Sequence, residues 1–169
     1  MFPAHTVESA PQESRPAMQA LADASGGAVP DAVARLAASP ELLNGFLSLS
    51  ASFERSTLDP LSREVVITTV AVRNECHLCV ALHTGKLRKL GADPALVTAL
   101  RERRAPEDER LAAIRAFTLD VLATTGAVDD DTVKDFLAHG YTERNALEVV
   151  MAIGTYTMST FANRLVRAA

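Results

Sequence analysis

The chain has 169 residues, of which 48% are hydrophobic, 22% charged and 5% aromatic, with no Trp. Such a composition excludes a disordered chain, and it suits close-packed helices better than a β-sandwich, which draws on β-branched and aromatic residues. The net charge is −4 and no run of Lys and Arg occurs, so nucleic-acid binding has no electrostatic footprint here.

Residues 1–15 lack periodicity and read as an N-terminal arm, disordered or draped over a partner subunit. They also lack the basic and apolar regions of a signal peptide. Residues 16–169 read as a single all-helical domain. "RPAMQALADA" is a short helix stopped by Gly26 and Gly27, and "PDAVARLAAS" opens on the first-turn pair Pro30–Asp31. "SPELLNGFLSLSASFER" has Ser39 as N-cap, Pro40 at the first helical position, and an apolar face of Leu42, Leu43, Phe46, Leu49 and Phe53. "DPLSREVVITTVAVRNE" repeats the device with Asp59 and Pro60. Its VVITTV run could pass for a buried strand, but the long capped stretch and the lack of any strand partner favour helix.

Asn74 is the expected N-cap of "ECHLCVALHTGKLRKLG", which Gly91 ends. "DPALVTALRER" repeats the Asp-Pro start with Asp93 and Pro94. The charges of "LRERRAPEDER" are mixed, as at a solvated corner between helices. "PEDERLAAIRAFTLDVLATTG" is a long amphipathic helix ended by Gly126, and "DDDTVKDFLAHG" is acidic at its start, as the helix dipole favours. In the last helix, Leu147, Met151, Gly154, Met158, Phe161 and Leu165 recur at steps of 4, 3, 4, 3 and 4, a seam for another helix. Val149, Ile153, Tyr156 and Thr160 form a second flank, so this helix is expected deep in the core or in an oligomer interface. Nowhere do 18 apolar residues run together, so no membrane span is expected and a cytoplasmic location follows. In that reducing compartment a lone C-x-x-C pair is more often catalytic or metal-binding than a staple.

That pair is Cys76 and Cys79, the only cysteines of the chain. On one helix Cys76, Cys79 and His83, three and four residues apart, share a face. The dipole at the helix start lowers a thiol pKa, and an i, i+3 pair brings the Cα atoms to roughly 5–6 Å, within disulfide range. His83, a turn beyond Cys79, can take a thiol proton directly or through one water. Glu64 lies twelve positions before Cys76 on the preceding helix. In an antiparallel pair it reaches the level of His83, and its burial among apolar residues demands such a partner. A redox pair, a zinc site made with Glu64 or His77 as fourth ligand, and two small core hydrophobes all remain open on these residues alone.

The pattern E-x11-C-x-x-C-x3-H over Glu64, Cys76, Cys79 and His83 resembles the signature of the alkyl hydroperoxidase D family, within the carboxymuconolactone decarboxylase-like superfamily. The resemblance is strongest over residues 40–125. It implies an all-α helical bundle that forms homo-oligomers: dimers, trimers or hexamers. It implies an antioxidant enzyme with peroxiredoxin activity, in which Cys79 attacks a hydroperoxide, Cys76 resolves it, His83 is the base and Glu64 its partner in a proton relay. An external dithiol reductant restores the pair, and no cofactor or metal takes part. One position departs: well-studied members carry a histidine immediately before the second cysteine and many relatives a tyrosine, whereas this chain has Leu78. Its His77 stands one position earlier, about 100° around the helix, as a surface or helix-start residue. Competing uses of the same residues are a redox-sensing or binding module without turnover, a zinc site, and a decarboxylase-type lyase.

Overall fold

Ser39, Asp59, Asp93, Asp108, Asp129 and Thr142 each accept a hydrogen bond from a backbone N–H of the first helical turn that follows, and these caps divide most of the chain into its helices. The computed structural model describes residues 2–168, and among these there are helices and no strands. After a 3-10 turn at Gln12–Ser14 come α1 (Arg15–Ala24), α2 (Asp31–Leu36), α3 (Pro40–Glu54), α4 (Pro60–Arg73), α5 (His77–Lys89), α6 (Pro94–Arg101), α7 (Glu109–Thr124), α8 (Asp130–Ala138) and α9 (Glu143–Val166). The all-α bundle expected from composition is the fold, and VVITTV lies in the middle of α4. No helix among the described residues is long and apolar enough to cross a membrane.

The hub is α4, which packs against α5, α6, α7 and α9. Its residues from Glu64 to Ala71 are all buried, so it is covered on every side. Around it Phe53, Val65, Val66, Val70, Leu87, Leu100, Ile114 and Val149 form the main core. A smaller core under the N-terminal segment joins Met18, Leu36 and Leu43 to Ala162 and Val166 of α9. The arm lies on its own chain: the His5 amide donates to Ala34 O at 2.9 Å, Ser14 Oγ to Ala37 O at 2.8 Å, and Asn44 Nδ2 to Glu13 O at 3.1 Å.

Two details differ from the sequence expectation. Asn74 does not cap α5. It is the C-cap of α4, Glu75 follows in the left-handed region at φ 55°, and the N-cap of α5 is Cys76. Asn74 is instead held from α9, with its Nδ2 donating to Thr160 Oγ1 at 3.0 Å and its carbonyl accepting from Arg164. In α9, Val149, Tyr156 and Thr160 of the second flank face the core. The heptad-like seam lies outside, with Leu147 72%, Phe161 57% and Leu165 66% exposed.

At the far end of the bundle, Phe136 is stacked between Phe117 and Tyr141 at centroid separations of 4.2 and 4.6 Å, and Arg110 lies over the Tyr141 ring. Phe136→Ala should cost about 3–5 kcal/mol of stability by urea denaturation, since the stack cannot close the gap. The reduced variant should keep the wild-type thiol titration, because the stack lies away from the cysteines. A loss below 1 kcal/mol would mean that the rings repack.

Candidate active site

The turn Asn74–Glu75–Cys76 reverses the chain between α4 and α5 and lays the two helices side by side. Because Cys76 is the cap, its sulfur points back over the start of α5, and the Cys79 N–H donates to Cys76 Sγ at 3.4 Å. The two cysteines are joined as a disulfide, with Cα atoms 5.3 Å apart. Both are buried, and they sit in a small apolar cluster with Ala71, Leu78 and Val80. The helix dipole of α5 therefore acts on both sulfurs.

One turn further along α5, His83 meets Glu64 of α4. Its Nδ1–H donates to Glu64 Oε2 at 2.7 Å, and both side chains are about nine-tenths buried. The bond fixes the ring tautomer and leaves Nε2 as the acceptor nitrogen of the neutral ring. The other oxygen of Glu64 lies 3.8 Å from Lys86 Nζ, which also approaches Glu54 at 3.6 Å. A cleft of about 270 Å³ opens there, lined by Glu54, Arg63, Glu64 and Lys86 among others. A second cleft, of about 260 Å³, lies at the other end, lined by Glu75, Cys76, His77, Leu78, Asn163, Arg164 and Ala168. Glu64, His83 and the disulfide thus form a buried line between two open clefts.

The structure brings Glu64, Cys76, Cys79 and His83 into this one cluster. His77 is exposed at the first position of α5, on the rim of the second cleft, and Leu78 turns inward toward the cysteines. His5 and His139 lie elsewhere, each bonded to a backbone carbonyl four residues away. Among the described residues no group of three or more His, Cys, Asp or Glu side chains is arranged to hold a metal ion.

Two neighbours from α9 complete the surroundings. The Tyr156 ring meets the His83 ring edge-on, with centroids 5.7 Å apart, and its hydroxyl is 3.2 Å from Ser50 Oγ. Asn163 Nδ2 donates to Cys79 Sγ at 3.4 Å. Sequence reading named Tyr156 only as part of an apolar flank and did not single out Asn163. The available signal was a polar residue at the core spacing of α9: Tyr156, Thr160 and Asn163, at steps of four and three.

The model of the carboxymuconolactone decarboxylase family matches residues 37–120, a span that includes Glu64, both cysteines and His83. The chain belongs to this family. Its fold agrees with that of solved structures. One is the crystal structure of an "alkylhydroperoxidase AhpD core: uncharacterized peroxidase-related protein" from Ralstonia eutropha JMP134, with TM-score 0.87 at 20% identity, covering 99% of this chain and 90% of that one. A peroxidase-related protein from Silicibacter sp. TM1040 gives 0.81 at 22% identity, covering 99% and 88%. An Agrobacterium tumefaciens protein of unknown function, described with the name antioxidant defence protein AhpD, gives 0.64 at 20% identity, covering 79% and 91%. At these identities the likeness is one of fold. No curated protein matches the chain.

Burial is the largest influence on the Tyr156 phenol and, with the nearby Glu64 and Glu54 carboxylates, lifts its pKa from 10.0 to about 12 against the opposing Ser50 bond. The folded state holds this proton more tightly than the unfolded chain does. Its contribution is therefore whole below pH 10 and is lost as pH rises from 10.0 to about 12. Unfolding measured across that window should show a fall of about 2 kcal/mol from this group. Tyr156→Phe keeps the ring against His83 and should flatten the fall, leaving the share of Tyr141, which burial also raises. An equally steep fall in the variant would contradict the assignment.

Proposed function

We propose that this protein is a thiol-dependent peroxidase, a disulfide oxidoreductase that reduces hydroperoxides through the Cys76–Cys79 dithiol. The observation that carries the reading is the closed Cys76–Cys79 pair one helical turn from a buried His83–Glu64 couple. A structural cysteine pair has no need of such a base. The family membership and the peroxidase-related names of the similar folds support the same reading.

In the reduced enzyme His83, oriented by Glu64, takes the Cys79 proton at Nε2. The Cys79 thiolate attacks the terminal oxygen of a hydroperoxide, and the O–O bond breaks. The departing alkoxide takes the proton back from His83 and leaves as an alcohol, so Cys79 becomes a sulfenic acid. The Cys76 sulfur then displaces the sulfenic hydroxyl. Water leaves and the disulfide closes. An external dithiol reductant opens it again by two exchange steps and is itself oxidised to a disulfide. The cytoplasm, with its reduced thiol pools, is the compartment that suits this cycle. The cleft beside Cys76 is the entry for peroxide and reductant alike, and the apolar seam on α9 supports assembly as a homo-oligomer (dimer, trimer or hexamer).

One equivalent of hydroperoxide added to the reduced protein should remove two thiols per chain. Retention of both thiols would end the peroxidase reading. Cys79→Ser should abolish turnover, whereas Cys76→Ser should stop the cycle at a sulfenic acid that dimedone traps. The opposite pattern would exchange the two roles. His83→Ala should raise the pKa of the Cys79 thiol, and an unchanged titration would remove its part as base.

In sedimentation, a particle larger than the protomer is expected, and Leu147→Glu with Phe161→Glu should reduce it to a monomer. A wild-type chain that sediments as a clean monomer would contradict the proposed assembly.

A further inference from the structure

Asn163 is poorly satisfied in the disulfide form. The residue is 8% exposed, its Nδ2 has Cys79 Sγ at 3.4 Å, and its Oδ1 is buried with no hydrogen-bond partner. Buried side-chain amides normally find partners for both ends. Here the donor meets a disulfide sulfur, which is a weak acceptor, and the acceptor meets nothing. This amide stands in the wall of the cleft that Cys76 lines. Opening the disulfide changes the account on both atoms. A Cys79 thiolate is a charged acceptor for the N–H, and such bonds are shorter and stronger than neutral ones. A donor that arrives at the sulfur supplies what Oδ1 lacks.

We propose that Asn163 is a catalytic residue of the dithiol: its amide N–H holds the Cys79 sulfur as thiolate, and its Oδ1 receives the O–H of the hydroperoxide. The second half rests on the peroxidase reading; the first holds for any use of the dithiol. A carboxamide offers a donor and an acceptor side by side, so it sets the attacking sulfur next to the oxygen that carries hydrogen. That oxygen is the terminal one, which sulfur must attack. As the S–O bond forms and the O–O bond breaks, the alkoxide leaves with the proton from His83. The hydrogen accepted by Oδ1 stays on the new sulfenic oxygen. Asn163 then still holds the S–OH group while Cys76 attacks the sulfur.

The test uses the full chain carrying Cys76→Ser, so that Cys79 alone titrates as a thiol, by thiolate absorbance and by the pH dependence of iodoacetamide alkylation. Asn163→Ala should raise the Cys79 pKa by about one unit and slow alkylation at neutral pH about tenfold, through the smaller thiolate fraction. Asn163→Asp keeps the shape but replaces the donor with a like charge, so it should raise the pKa further. Titrations that match the parent in both variants would overturn the proposal. Should either variant misfold, the wild-type chain decides: the Asn163 side-chain amide resonance should move on reduction and follow the Cys79 titration, and an immobile resonance would overturn it equally. Hydroperoxide is then added to the Cys76→Ser chain. With Asn163→Ala, sulfenic acid should form more slowly than the lost thiolate fraction explains, while a rate that follows that fraction would overturn the role of Oδ1. Wild-type protein that consumes no hydroperoxide while the Asn163 shifts persist would sink the peroxidase reading and the Oδ1 role, and would leave the amide–thiolate bond standing.

Discussion

A carboxylate in the middle of an apolar helix must be answered by a donor or stay protonated, and Glu64 in α4 imposes that demand on its surroundings. The answer is His83 at 2.7 Å, and meeting it fixes the geometry around it. Helix α5 must run back along α4 with His83 at the level of Glu64. The turn between them must fall at Asn74–Cys76, and the cysteines are then held at the start of α5. Tyr156 closes the histidine from the α9 side, with the two rings nearly perpendicular. Removing the carboxylate would leave an unpaired imidazole in the core. Removing the imidazole would leave an unpaired carboxylate, with only Lys86 at 3.8 Å to attend it. The fold and the buried couple are therefore one constraint.

That constraint gives the cysteines two jobs at once. Cys76 is the N-cap of α5, in a position normally held by Ser, Thr, Asp or Asn, and its sulfur accepts from the Cys79 N–H. A sulfur is a poor neutral cap and a better charged one. A thiolate at the start of α5 gains from the same N–H groups and dipole that any helix start presents. The turn that feeds it is held independently of the sulfur, through Thr160 and Arg164 on Asn74 and through the Cys76 N–H, which donates to Ala71 O at 3.0 Å. The disulfide can therefore open and close without the corner depending on it.

The helical architecture was legible because its signals are local. Asp59–Pro60, Ser39–Pro40 and Asp93–Pro94 mark helix starts by the chemistry of the first turn, and each is a start in the structure. The meeting of Glu64 with His83 was legible too, since helical rise and one antiparallel turn are enough to level them. Asn74 misled for a physical reason: Asn is a strong N-cap, but it is also at home at a helix end, and only the tertiary bonds from α9 decide which end it serves. Asn163 was legible only as a polar residue at the core spacing of α9, not as a neighbour of the cysteines. It is eighty-four positions from Cys79, and no local pattern links a polar residue on the last helix to a sulfur on the fifth.

The two faces of α9 connect these observations. Its inner face carries Tyr156 to His83, Thr160 to Asn74 and Asn163 to Cys79, while its outer face carries the apolar seam from Leu147 to Leu165. The seam and the inner polar stripe share the same turns, because residues three and four apart repeat on both faces of one helix. Phe161 lies between Thr160 and Asn163, and Leu165 lies two residues beyond Asn163. A second subunit on the seam would press α9 against α3 and α4, the helices already behind it. That load would fall on the segment that sets the amide against the sulfur and the phenol against the imidazole. In the proposed homo-oligomer, then, the helix that carries the seam is the same one that sets Asn163 against Cys79 and Tyr156 against His83.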